Sequence, residues 1–334
     1  MLSERRQRIL EALVNEYISF AIPVGSRTLV DRYDLGVSPA TVRNELAELE
    51  GEGYVSSPHT SAGRIPTDYG YRSFVDHLMS DPVVFDLTQD QNASLANKGA
   101  QLDDVVKDAC VALSHLTSCL AVALAPSLSK VSLKHLSFVQ LSARRAIIIL
   151  VTLDGRVLSS QVDFPQDVDQ ERLHGLELLF NSAFAGQSMI EICNASSDSL
   201  LLAAHDPMAG LLLGALMDLL AGESQTKMHQ QGMGALLAQP EFKDATQAVP
   251  LALALEDEIR LAQLLGDVLG SDGPVVRIGH ENMSPGMDGV SVVARSYRYG
   301  SSNGIIAVVG PTRMDYARAL AAVNHTSALI EEAL

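Results

Sequence analysis

The chain has no tryptophan, and aromatic residues make up only 5% of its 334 positions. Its cores must therefore be built from Ala, Leu and Val rather than from large rings. Cysteine is almost as scarce: Cys110, Cys119 and Cys193 are an odd set without a CxxC pair. That leaves no basis for a disulfide framework or a zinc knuckle. Lysine is missing until Lys98, and the first 80 residues carry 8 Arg against 11 carboxylates. The whole chain has a formal charge of −16, which excludes a broadly cationic surface and makes any nucleic-acid contact local. Long apolar runs are lacking too. The most apolar stretch, 199–222, is broken by His205-Asp206-Pro207 and carries Asp218, so it is too interrupted to span a bilayer. The opening MLSERRQRIL has no apolar signal-peptide core. A cytoplasmic protein without a membrane partner is expected.

What is present is informative at the N-terminal end. Ile9, Leu10, Leu13, Val14, Tyr17 and Ile18 recur at the period of a helix packing one face, over Glu4 to Phe20. Pro23-Val-Gly25 interrupts it, Ser26 stands as an N-cap, and RTLVDRY forms a second short helix. Ser38 caps a third, with Pro39 as its first residue, and the helix ends at Gly51 or Gly53. Three short helices with a tight turn before the third make a helix-turn-helix arrangement.

On the third helix Val42, Leu46 and Leu49 share the packing face. Ala40, Thr41, Asn44, Ala47 and Glu48 point the other way, with Arg43 on the flank. Small residues and an amide suit close approach to base edges in a major groove. Taken alone, that face reads equally well as an ordinary solvated surface. The loop SSPHTSAGRIPT (56–67) changes the balance. It is stiffened by Pro58 and Pro66, and flanked by strand-forming Tyr54-Val55 and Ile65. A strand, a projecting loop and a returning strand would be a wing. Its His59, Thr60, Ser61 and Arg64 offer hydroxyls and a cation to phosphates, and Gly63 permits close backbone approach. His59 reads equally as a neutral histidine bonded within the loop. The candidate DNA-binding residues are thus Ser26, Arg27, Ser38, Thr41, Arg43, Asn44, His59, Thr60, Ser61 and Arg64.

The joined stretches VSPATVRNELAELEGEGYV and SSPHTSAGRIPTDYGYRSFVD, with VRIGHEN (276–282) and IIAVVGPTRMDYARAL (305–320), resemble the HrcA family of heat-inducible transcription repressors of bacterial chaperone operons. The resemblance implies an inverted-repeat operator, a homodimer, and a chaperonin that keeps the repressor active. It also implies a GAF-like fold for the body and dimerisation through an insertion. The fold class expected is α+β and multidomain. Residues 1–78 form a winged helix-turn-helix and 79–99 a connector. Residues 100–164 and 274–334 are the two parts of a GAF-like domain, and 165–273 the inserted, mainly helical dimerisation domain.

The residues themselves predict a helix over 100–118, then the strands HLSFVQLS, AIIILVTL and RVLSSQVDF, with a hairpin at Asp154-Gly155. VVRIG, VSVVARSY and GIIAVVG are expected to continue the same sheet, before a last helix from about Thr312. Other patterns lead nowhere. Gly232-Met-Gly234 lacks the third glycine of a dinucleotide fingerprint. The nine His have no ligand spacing and no GxSxG appears. Glu256-Asp257-Glu258 reads as a solvated face. No catalytic residue, metal site or cofactor is expected, so an enzyme is not. A second reading stays open, in which a GAF-like pocket holds a small metabolite.

Overall fold

The computed structural model describes residues 2–59, 63–80, 102–194, 206–224 and 227–333. It is α+β. The first helix, α1 (Glu4–Phe20), is capped by Ser3 and buries Ile9, Leu10, Leu13 and Val14. It ends where Ala21 turns left-handed at φ 54°, just ahead of Pro23. Helix α2 (Ser26–Arg32) begins one residue earlier than its sequence suggests: Gly25 is the N-cap and Ser26 is already helical. Helix α3 (Pro39–Gly51) starts as expected, with Ser38 Oγ accepting the Thr41 N–H at 3.2 Å. Two short antiparallel strands follow, β1 (Val55–Ser56) and β2 (Ile65–Pro66), and then α4 (Asp68–Ser80). Most of the segment read as a connector, 79–99, lies outside the described residues.

Helix α5 (Leu102–Thr117) leads to strand β3 (Leu120–Leu124). Next come β4 (Leu133–Ser142), β5 (Arg145–Thr152) and β6 (Val157–Asp163), then α6 (Gln170–Phe184), α7 (Met189–Asn194) and α8 (Pro207–Ser224). Strand β7 (Met228–Gln231) precedes α9 (Met233–Leu237), α10 (Ala245–Glu256) and α11 (Glu258–Gly266). The chain closes with β8 (Val275–Ile278), a 3-10 turn at Gly279–Asn282, β9 (Val290–Tyr299), β10 (Ser302–Pro311) and α12 (Tyr316–Ala333).

The strands do not form one split sheet. Strands β4-β5-β6 pair only with one another, and the other sheet runs β7-β3-β10-β9-β8. Burial explains the separation. Strand β5 alternates between deeply and partly buried residues, so one face carries most of the packing, against α6 and α8. Strands β3 and β10 are buried on both faces, as central strands covered by helices on both sides must be. The run AIIILVT is therefore apolar although only one of its faces is deeply buried. Asp154-Gly155 makes its hairpin, with Gly155 at φ 89° and Arg156 paired to Asp154 at 2.7 Å.

The chain divides into two compact units, 1–124 with 228–297 and 305–334, and 125–227 with 298–304. These divisions fall at 124 and 227, whereas the sequence segmentation falls at 164 and 273. The acidic triplet has a structural part as well. Glu256 ends α10, and Asp257 caps α11 by accepting the Arg260 N–H at 3.1 Å. It is a helix junction, and with Glu256 and Glu258 exposed it is the solvated face the sequence suggests. Strand β7, poor in apolar residues, sits at a sheet edge, where half-exposure is tolerated.

In the larger unit the sheet separates two cores. Ala121, Ala123, Ile306 and Val308 point to the side of α5 and α12, and Leu120, Val122, Ala307 and Val309 to the side of α9, α10 and α11. Cys110 and Cys119 belong to this packing. Burial pushes their thiols up to about 12 and about 11, far from thiolate chemistry at neutral pH. No helix among the described residues is long and apolar enough to cross a membrane.

Candidate nucleic-acid interface

Helix α3 is held from behind by charge. Glu45, mid-helix and buried, accepts from Arg6 at 2.8 Å and from Arg5, both on α1. Arg6 also reaches Glu52 at 2.7 Å and Glu48 at 3.6 Å. Glu48, which on sequence grounds opposes phosphate approach, is thus partly neutralised. With Val42, Leu46 and Leu49 packed inward, the opposite face carries exposed Ala40, Arg43, Asn44 and Ala47. Neither Arg43 nor Asn44 has a side-chain partner among the described residues.

The remaining candidates divide by what they touch. Ser38 Oγ lies 3.0 Å from Thr41 Oγ1, so both hydroxyls are first of all the cap of α3. Ser26 is half-buried in the first turn of α2. Arg27 is almost fully exposed, with only a 3.9 Å approach to Asp31. His59 is exposed, and its carbonyl accepts from Ser57 Oγ at 2.8 Å. Thr60 and Ser61 lie outside the described residues.

Arg64 is placed differently from the sequence expectation of a free cation. Its guanidinium pairs with Glu50 at 2.8 Å and donates to Ser57 Oγ at 3.2 Å. Its backbone exchanges two 2.8 Å hydrogen bonds with Val24, joining the base of the loop to the α1–α2 turn. Gly63 serves that junction: a Cβ there would stand 2.5 Å from the Val24 backbone.

The two arginines should therefore behave differently. Arg43→Ala is expected to lower the slope of log binding constant against log salt by about 0.9, one phosphate's worth. Arg64→Ala should weaken binding to every duplex through a loosened loop, with a slope change well below that. Titrations at several salt concentrations separate the two.

The acid side is also accessible. The Arg6 hydrogen bond first, with Arg5 beside it, holds the Glu45 carboxyl below its ordinary value against some burial. Burial alone would raise Glu281. Hydrogen bonds from Arg72 and the Ile278 N–H, with the Arg72 charge, outweigh it and lower that carboxyl too. A carboxyl whose folded pKa lies below its unfolded value, about 4.3, stabilises fully above that value. The contribution is lost as pH falls through the folded pKa. Urea unfolding of the full chain should thus lose stability below about pH 5, and Glu45→Gln should flatten that loss.

The sequence reading missed the residues that join this N-terminal head to the sheet, Asp68, Arg72, Glu281 and Arg313. Arg72 forms a two-pronged pair with Glu281, donating from Nε at 2.9 Å. The spacing of Asp68 and Arg72, four apart on α4, was the available signal that both face one side.

Comparison with known proteins adds identity to this geometry. The family described as HrcA protein C terminal domain matches residues 103–320. A heat-inducible transcription repressor HrcA of Streptomyces avermitilis is 39% identical, over 100% of this chain and 99% of its own. That of Carboxydothermus hydrogenoformans is 36% identical, over 99% and 98%. Among solved structures, a hypothetical protein determined at 2.2 Å superimposes with a TM-score of 0.72 at 22% identity, over 100% of this chain and 98% of that one, a likeness of fold alone.

Proposed function

Because the chain belongs to the HrcA family of heat-inducible transcription repressors, we propose that it acts as a homodimer on an inverted-repeat operator ahead of heat-shock operons. It is a transcription repressor of the heat-shock response. The finer reading takes 1–78 as a winged helix-turn-helix with α3 in the major groove. Asn44 pairs with a base, adenine by its bidentate geometry, and Arg43 takes a base or phosphate. Thr41 and Ser38 line the entry of the helix, Ser26 and Arg27 hold the backbone, and His59, Thr60 and Ser61 meet the flanking phosphates or minor groove. Arg64 braces that wing. The observation that carries this reading is the contrast on α3. Arg43 and Asn44 are exposed and unpartnered among the described residues, while the carboxylates around them are drawn to α1 or to Arg64.

Dimerisation is assigned to the inserted segment 165–273. Within it, Leu178 and Leu211 of the smaller unit and, separately, Val249, Leu253 and Ile259 of the larger one are exposed apolar residues of the kind a second copy would cover. The segments 100–164 and 274–334 are read as GAF-like. Both faces of the five-stranded sheet are filled by aliphatic side chains, so the reading in which a metabolite occupies the body gains no support. The protein is taken to be cytoplasmic and non-enzymatic, with a chaperonin holding it active until unfolded proteins compete for that chaperonin.

Fluorescence anisotropy tests the proposal, on a duplex with the inverted repeat ahead of a chaperonin operon and on one with scrambled half-sites. Tight, salt-sensitive binding to the intact repeat, strengthened by chaperonin, is expected. Equal binding to both duplexes by folded dimer would overturn it. Specific binding indifferent to chaperonin would remove only that partner.

A further inference from the structure

The motifs 276–282 and 305–320 take no part in the proposed reading of DNA, yet both touch the head. Asp68 and Arg72 face the 276–282 turn from α4. Asp68 Oδ2 accepts the His280 N–H at 3.2 Å. Arg72 grips both oxygens of Glu281 and donates to the Val276 carbonyl at 2.8 Å. Glu281 Oε2 is held in turn by the Ile278 N–H at 2.9 Å. Gly279, at φ 50°, is what admits the carboxylate: a Cβ there would lie 2.1 Å from Asp68 Oδ2.

A second attachment grips the end of α1. Arg313, from the 305–320 motif, donates to the Ile18 carbonyl at 3.2 Å and to Gln239 at 3.2 Å while paired with Glu241. Between the two, the rings of Tyr71 and Tyr316 pack at a tilt of 48° with centroids 5.7 Å apart, and Tyr316 Oη is bound to Ser291 Oγ at 2.7 Å.

One attachment would leave a pivot; attachments on both α1 and α4 with a tilted ring pair between them fix an orientation. Bidentate arginine–carboxylate pairs are directional in a way point charges are not. We infer that Arg72 and Glu281, with Asp68 and Arg313, are positioning residues for operator recognition: they hold α3 at a set angle to the sheet, so that the sheet domain fixes the half-site spacing the protein accepts. This rests on the dimeric-repressor reading. A dimer whose heads are held reaches its second half-site at high effective concentration only when the spacing matches, and freed heads lose both that gain and that selectivity.

The test uses the full-length protein and Glu281→Gln, with Arg72→Lys as a second variant that keeps the charge and loses the fork. The duplexes are the intact repeat, the repeat with about half a helical turn (~5 bp) inserted between half-sites, a single half-site and a scrambled control. Wild type should prefer the intact repeat over the lengthened one by at least about a hundredfold. Glu281→Gln should bind the intact repeat about tenfold more weakly and the single half-site unchanged, with preference between spacings reduced to a few-fold. Dimer mass and melting temperature accompany each measurement. Equal weakening on every duplex, or unchanged spacing preference, would overturn the inference and leave the pair a purely structural contact. Failure of wild type to distinguish intact from scrambled repeats would instead sink the repressor reading, and this inference with it.

Discussion

Asn44→Ala is expected to cost about 1–3 kcal/mol at each half-site, because one bidentate base contact is worth that much. The residue occurs once per protomer and a symmetric operator presents two equivalent positions, so the losses add to about 2–6 kcal/mol for the dimer. That is a fall of roughly thirtyfold to about twenty-thousandfold in operator affinity. Nonspecific binding should hardly change, since an amide carries no charge for counterion release. The pattern is therefore specific. Discrimination flattens at one base pair per half-site, in a symmetry-related pair, while the salt slope stays that of wild type. Anisotropy against singly substituted operators reads it directly. Retained discrimination in Asn44→Ala would remove α3 from the groove. Because the side chain is exposed and without a partner among the described residues, the substitution should leave folding intact.

Gly63→Ala should have the second large effect, and for a reason that has nothing to do with flexibility. The added Cβ would meet N, C and O of Val24 at 2.5–2.6 Å, and backbone atoms cannot swing aside as a side-chain tip can. The strand must move off, breaking the paired 2.8 Å bonds between Val24 and Arg64. Two hydrogen bonds at about 0.5–1.5 kcal/mol each and about 1–3 kcal/mol of overpacking give a local cost of about 2–6 kcal/mol. Gly51→Ala is the control, since nothing lies within 4 Å of a Cβ there and its φ is ordinary. Hydrogen exchange should show the Val24 and Arg64 amides deprotected in Gly63→Ala and unchanged in Gly51→Ala. Affinity for all duplexes should fall with the loop. Full protection of those amides in Gly63→Ala would contradict the geometry.

Local rules made much of the head legible. Ser38 followed by Pro39 announces its helix because cap and first turn are encoded within four residues, and α1 announces itself by period. Ser26 misled because Gly25, which lacks a side chain to give a sign, is the true cap. What could not be read depends on distant partners. The fates of Arg64 and Gly63 are decided by Glu50 and Val24, and Arg72 meets a carboxylate more than 200 positions away. Apolar runs carried a different ambiguity. AIIILVT and GIIAVVG look alike as strings, yet only the second is covered on both faces. The alternation of β6, with Ser159, Ser160 and Gln161, was the hint that its sheet has a thinly covered side.

The apolar cluster that begins with Ile9 and Leu13 in α1 continues without a break through Tyr71, Phe74 and Val75 to Val106, Leu113, Tyr316 and Val323. A fragment cut at Ser80 would therefore carry half of a core into water. It would bring the rings and branched chains of α4 to its surface, and would be prone to self-association before any question of DNA arose. For the same reason the head has no melting transition of its own to offer. Heat that opens the sheet around α5 and α12 removes the floor beneath α4, so the reading surface and that sheet are expected to fail together.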